Sequence, residues 1–248
     1  MRQSLSTSLW LTLFAIAAPL IAQAGLLEHF EGHYGALEIY DEKAKLSFRV
    51  NPGALSQPTP ACGIAALDQA LVALSAELIK PETRLVWDKE AFPALPGWST
   101  GWQRDQSLRT ALKRQTPWFF ESLALAPGKS SLASNKLQGK VSPLVVVEWM
   151  KQLKKSQLPY PAKAQAALID ALARKDAPAG YKLVSFGTQC EVSDGLAQSW
   201  NAGFVDYPGG SVYFSVLIEG KNRQVLLRKA PKIRDKSLKD LKYWPREG

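Results

Sequence analysis

The chain has 248 residues, 46% of them apolar, and a formal charge of +9, a size and composition suited to one domain with a substantial core. Beyond the first 24 residues no stretch approaches the roughly 18 predominantly apolar residues that a membrane-spanning helix needs; the one uncharged run of that length, Val50 to Leu67, is broken by prolines and polar residues, so no membrane-spanning helix is expected after that segment.

Arg2 precedes an apolar run from Leu9 to Ile21, broken by Thr12 and Pro19, and Ala22-Gln23-Ala24 offers small residues at a cleavage position. This is the pattern of a secretory signal peptide over residues 1–24. The expected mature protein, residues 25–248, is one exported, periplasmic domain, and losing Arg2 lowers its formal charge from +9 to +8. Export sets nucleic acid aside as a partner and directs the positive charge toward anionic envelope surfaces. No cysteine stands at the cleavage point, so no lipid anchor is expected.

His29 and His33, with Glu28 and Glu31 beside them, have a spacing that could hold a metal on one helix face. Gly32 interrupts them and no third ligand is evident, so they read as surface residues; no metal or cofactor is expected. Ala36 to Tyr40 and Lys45 to Val50 alternate apolar residues around Asp41-Glu42-Lys43, a β-hairpin. A loop from Asn51 to Pro60 follows. Leu67, Ala70, Leu71, Leu74 and Leu78 then recur at helical spacing in a run of low charge, predicting a deeply buried helix.

Pro81 to Gly101 is irregular and aromatic; Trp87, Trp98, Trp102, Trp118, Phe119 and Phe120 read mainly as core or wall residues. Helix is predicted from Leu108 to Leu125 with a break near Pro117, then a polar loop from Pro127 to Gly139. Lys129-Ser130-Ser131 and Ser134-Asn135-Lys136 in that loop read as chance polar composition. Ser142-Pro143 opens a helix by the N-cap and N1 rule, with Leu144, Val147, Trp149 or Met150, and Leu153 on its apolar face. An alanine-rich helix spans Pro161 to Arg174. Strands follow at Tyr181–Thr188, Gln198–Asp206 and Ser211–Ile218, the last two joined by Tyr207-Pro208-Gly209-Gly210. A helix from Arg223 to Leu241 closes the chain, and its Arg228, Lys229, Lys232, Arg234, Lys236, Lys239 and Lys242 read as a solvated face. The order predicts an α+β fold, an antiparallel sheet covered by a helical region.

The only two mature cysteines are Cys62 and Cys190. In an oxidising compartment such a pair forms one bridge, and closing a loop of 128 residues is worth about 4–5 kcal/mol in the chain-entropy model.

Several strings, in order along the chain, resemble the penicillin-recognising serine enzymes, and class D β-lactamases most of all. Gly35 to Asp41 is similar to the family's first strand and Leu67 to Leu74 to the body of its nucleophile helix. Trp102 to Ala111 resembles the segment entering the second motif, Val141-Ser142-Pro143-Leu144 and Leu158-Pro159-Tyr160 the later helices, and Trp200 to Val205 the strand after the third motif. The resemblance implies a central antiparallel sheet flanked by terminal helices, plus an all-helical region.

The family's reaction needs Ser-x-x-Lys, with the lysine one helical turn from the serine it activates. Here the resemblance puts Gly63 at the serine and Ala66 at the lysine, and no serine anywhere in the chain has lysine three positions later. Shifting the fit by one puts Cys62 at the nucleophile with Ala65 in place of the base, an unactivated thiol. The second motif falls at Gln115-Thr116-Pro117, without its serine. The third, Lys-Thr/Ser-Gly, supplies a cation and an oxyanion-hole strand; here Ser185-Phe186-Gly187-Thr188 keeps the glycine and loses the cation. Only Pro127 to Gly139 stands where class D enzymes carry a longer loop. A cysteine just before the nucleophile, bonded to one just past the third motif, is known in some class A carbapenemases, and Cys62 and Cys190 are similarly placed.

The expectation is a catalytically degenerate β-lactamase-like pseudoenzyme that binds a peptidoglycan-related ligand or an envelope protein. Two alternatives stand beside it: a divergent β-lactamase or penicillin-binding protein with another nucleophile, and a structural envelope protein without a small ligand. The sequence does not specify an oligomeric state.

Overall fold

The computed structural model describes residues 25–96, 98–125, 137, 139–193 and 195–245. The expected signal peptide and the serine–lysine strings at 129–136 lie outside the described residues.

A helical turn over residues 25–28 (α1) leads into the predicted hairpin, β1 (Gly35–Asp41) and β2 (Leu46–Val50). Short elements follow: α2 (Pro52–Leu55), β3 (Thr59–Pro60) and a 3-10 turn over Cys62–Ile64 that runs directly into α3 (Ala65–Ser75). The aromatic segment contributes only β4 (Arg84–Leu85), paired with β5 (Gln106–Ser107). α4 (Leu108–Arg114) and α5 (Pro117–Leu125) are separated at Gln115, as the proline predicts. After β6 (Lys140–Val141) come α6 (Pro143–Lys154) and α7 (Ala162–Leu172), then the meander β7 (Lys182–Ser193), β8 (Leu196–Tyr207) and β9 (Gly210–Gly220), and finally α8 (Arg223–Asp240).

The five long strands form one antiparallel sheet in the order β2-β1-β9-β8-β7. Both faces are covered, so β8 and β9 are buried through most of their length instead of alternating. Behind one face, Leu37, Ile39, Val205, Val212 and Val216 pack with Leu26 and Phe30 and with Leu226, Ile233 and Leu238 of α8. In front, Val184, Phe186, Trp200, Phe204 and Tyr213 meet Leu67, Leu71, Met150, Leu153 and Leu168 of the helical region. Each such side chain, withdrawn from water, contributes about 2 kcal/mol of apolar transfer.

Three expectations are corrected. Leu78 lies beyond α3 and is 36% exposed, because the chain turns at the left-handed Glu77 (φ 53°) before another helical turn can form. In α6 the buried face uses Val146, Val147, Trp149, Met150 and Leu153; Leu144 instead packs on the small Ala36–Ala54–Leu55 cluster. The strands of the meander are longer than their apolar patterns. β7 continues to Ser193 because main-chain pairing with β8 persists after the side chains turn polar, so Cys190 lies within the strand and not past its end.

Candidate ligand-binding site

Residues 62–63 meet β7 at the front of the sheet. Cys62 and Cys190 are disulfide-bonded, with Cα atoms 5.2 Å apart. One residue on, the Gly63 amide donates to the Thr188 hydroxyl at 3.1 Å. A Cβ built on Gly63 would lie 2.4 Å from that hydroxyl oxygen, closer than any real contact. The nucleophile position of the resembling enzymes is therefore filled by a threonine from the neighbouring strand, and Thr188 is buried there. Ala66 sits in the first turn of α3 within the core, 9% exposed. Nothing at these positions can act as nucleophile or base: Gly63 and Ala66 lack the groups, and Cys62 has no thiol.

Gln115, at the second-motif position, is the left-handed cap of α4 (φ 53°), its amide donating to the Ala111 and Leu112 carbonyls. It lines the same cleft as Ser185 and Gly187. Thr116 is buried, and its hydroxyl is without a partner among the described residues.

Strand alternation directs Val184, Phe186 and Thr188 toward the helical region and Ser185, Gly187 and Gln189 toward α8. On the α8 side a cation is waiting. The Arg234 Nη1 donates to the Ser185 hydroxyl at 3.2 Å and to the Asn201 side-chain oxygen at 2.9 Å, and its Nε donates to Asp235 at 2.8 Å. Burial pulls the Arg234 guanidinium below the usual arginine range, with Asp235 opposing. Arg234 was expected on a solvated face and is 4% exposed. The sequence carries a signal for this: Leu226, Ala230, Ile233 and Ser237 mark the buried stripe of α8, and Arg234 falls on it, four residues after Ala230.

Ser185, Gly187, Gln115 and Arg234 open into one cleft of about 1270 Å³ along the outer edge of β7, where Ala173 bridges to Val184. α4 contributes Arg109, Lys113 and Arg114 to its wall; the chain after α7 contributes Arg174 and Lys175. Among the described residues the one carboxylate in the lining is Asp176, which Arg174 holds down at about 2, so it stays ionised near neutral pH. Arg109 is fixed by the Ala173 and Asp170 carbonyls and by the Asp170 carboxylate at 2.9 Å. Trp102 stands in the wall, its indole donating to the Arg114 carbonyl at 2.6 Å while Trp98 packs edge-on at 5.7 Å.

The other candidates are placed elsewhere. His29 pairs with Asp240 of α8 at 2.7 Å, while His33 lies 3.2 Å from the Phe30 carbonyl and 3.3 Å from Lys229; they share no ligand. Among the described residues no group of three or more His, Cys, Asp or Glu could hold a metal ion. Trp118, Phe119 and Phe120 are core, and Trp87 and Trp98 are partly exposed against it.

No protein-family model matches the chain. Among curated proteins it is 22% identical to the methicillin resistance mecR1 proteins of Staphylococcus aureus and Staphylococcus epidermidis, over 87% of this chain. It spans only 39% of their length. Among solved structures it is similar to the class D β-lactamase YbXI from Nostoc, with a TM-score of 0.74 at 20% identity, covering 88% of this chain and 98% of that one. It is also similar to the C-terminal domain of the Bacillus licheniformis BlaR penicillin-receptor, with a TM-score of 0.77 at 18% identity, covering 89% and 96%. The fold is that of the serine β-lactamases and related penicillin-binding domains.

Proposed function

We propose that this chain is an exported envelope protein, one domain after its signal peptide, that uses a β-lactamase-like fold to bind a peptidoglycan-related ligand without reacting with it. The observation that carries this reading is at Gly63. Acyl transfer needs a nucleophile at this place and a base one turn away. Here the place is filled by the Thr188 hydroxyl, the base position is Ala66, and the adjacent sulfur is bonded to Cys190. Recognition can persist without that chemistry, because the cleft beside Ser185 and Gly187 is open and cationic. One of the structural neighbours is a domain of a penicillin-receptor, which favours a role in recognition over one in turnover.

Incubation with a fluorescent penicillin followed by denaturing electrophoresis tests the reading directly. The expected result is no covalent band, no hydrolysis of a chromogenic cephalosporin, and saturable, reversible binding of a soluble peptidoglycan stem fragment. A covalent band overturns it. The second reading, an enzyme with a displaced nucleophile, has one hydroxyl in the right place, Thr188. A band present in the wild type and lost in Thr188→Val would establish that reading.

A further inference from the structure

The cleft carries far more positive charge than a single carboxylate requires. Its seven cationic side chains come from three separate banks. α4 provides Arg109, Lys113 and Arg114, the chain after α7 provides Arg174 and Lys175, and α8 provides Arg223 and Arg234. Three carboxylates, Asp170, Asp176 and Asp235, pair with Arg109, Arg174 and Arg234, so seven cations against three anions leave an excess of four. The whole chain has a formal charge of +9, so this one groove holds a large share of it.

Among the described residues, Lys175 and Arg223 have no ion-pair partner, and Lys113 feels only a minor attraction to Asp176. All three are exposed. Like charges held together without counter-charges raise the local potential and are stabilised by an anionic ligand. Five of the seven are arginines, whose planar forks fit carboxylate and phosphate oxygens two at a time. The groove also exceeds the roughly 300–1,000 Å³ of a small-molecule site, and it is an open trough over a strand edge, a shape for an extended ligand. Trp102 stands among the α4 cations with its indole hydrogen-bonded in place, a rigid apolar surface on which a sugar ring can stack.

We propose that this groove binds a polyanionic glycan, a polymer in which carboxylate or phosphate groups alternate with sugar rings. The charged groups would meet the three banks and a ring would lie on Trp102. The proposal makes no use of acylation, so a penicillin band would overturn the reading above and leave this one standing.

The test is equilibrium binding of the mature protein to four probes: polygalacturonate, dextran phosphate, neutral dextran and poly-L-glutamate. At least one anionic glycan should bind, with affinity falling tenfold or more between 50 and 200 mM salt, and the tighter of the two identifies the anion. Neutral dextran should not bind, and poly-L-glutamate should bind at least tenfold more weakly. The triple variant Lys113→Glu, Lys175→Glu, Arg223→Glu changes only exposed side chains and should weaken binding 30-fold or more. The control Arg228→Glu, Lys232→Glu, on the other exposed face of α8, should change it less than threefold. Trp102→Ala should weaken glycan binding selectively. The proposal fails if neither anionic glycan binds, if the control weakens binding as much as the triple variant, or if poly-L-glutamate binds as tightly, which would make the ligand an acidic polypeptide.

Discussion

The two halves of β7 have opposite characters. Toward its end, Thr188 and Cys190 are tied to residues 62–63 by a hydrogen bond and a disulfide, with no space left between strand and helix. Three residues before Thr188, Ser185 faces a buried guanidinium and a cleft of about 1270 Å³. Neighbouring positions on one strand thus belong to a closed joint and to an open site. One strand combines a segment sealed against a neighbouring helix with a segment that stays accessible and lined by charge.

The most forceful way to break this contrast is to cut the joint. Cys62→Ser with Cys190→Ser releases a loop of 128 residues and should lower the unfolding free energy by about 4–5 kcal/mol, measured by chemical denaturation, with reductant having the same effect on the wild type. If reductant leaves stability unchanged, the joint is not held by this bond. Next is the cation at the open half. Arg234→Met leaves the buried Asn201 and the half-buried Ser185 and Asp235 without their donor and should cost about 3 kcal/mol. The sealing contact itself is tested by Gly63→Ser, expected to cost about 1–3 kcal/mol through overpacking on Thr188. Thr188→Ala should remove most of that cost, so a double-mutant cycle should show coupling, whereas independent effects would refute the contact.

The smallest effect lies behind the joint, in α3. Burial raises the Asp68 carboxyl above the usual range, while the hydrogen bond from the Tyr160 hydroxyl at 2.8 Å opposes the shift. A carboxyl whose folded pKa is raised stabilises the fold while protonated and withdraws that stability as pH rises through the folded pKa. Asp68→Asn, which stays neutral, should therefore gain on the wild type as pH rises from about 4 toward 7, read as a progressively smaller deficit or larger advantage in thermal denaturation. A constant difference across that range would show that the Asp68 carboxyl is not raised by folding.

Much of the architecture was legible along the chain because it depends on local pattern. The alternation in Ala36–Tyr40, the Ser142-Pro143 start of α6 and the Pro117 break each involve neighbours in sequence. The assignment of Gly63, Ala66, Gln115 and Ser185 to emptied motif positions is an expectation of a different kind, since it rests on resemblance to strings whose chemistry is known. What the chain did not reveal is non-local. The cleft draws its cations from residues near 110, 174 and 223–234, which only the folded sheet brings together. Thr188 filling the space at Gly63 is a contact across 125 positions. The length of β7 was missed because a main-chain ladder persists where side-chain alternation no longer records it.

The fit of Thr188 against Gly63 also bears on what this protein could become. Two of the four glycine codons are one nucleotide from serine, so a serine at residue 63 is within reach of a single mutation from either of them. That step places a side chain on a filled position, and the lysine it needs would have to arrive at Ala66, in the core, while Thr188 is still in the way. A side chain at residue 63 therefore fits only once Thr188 is made smaller, and the threonine acts as a ratchet against any single substitution at that glycine.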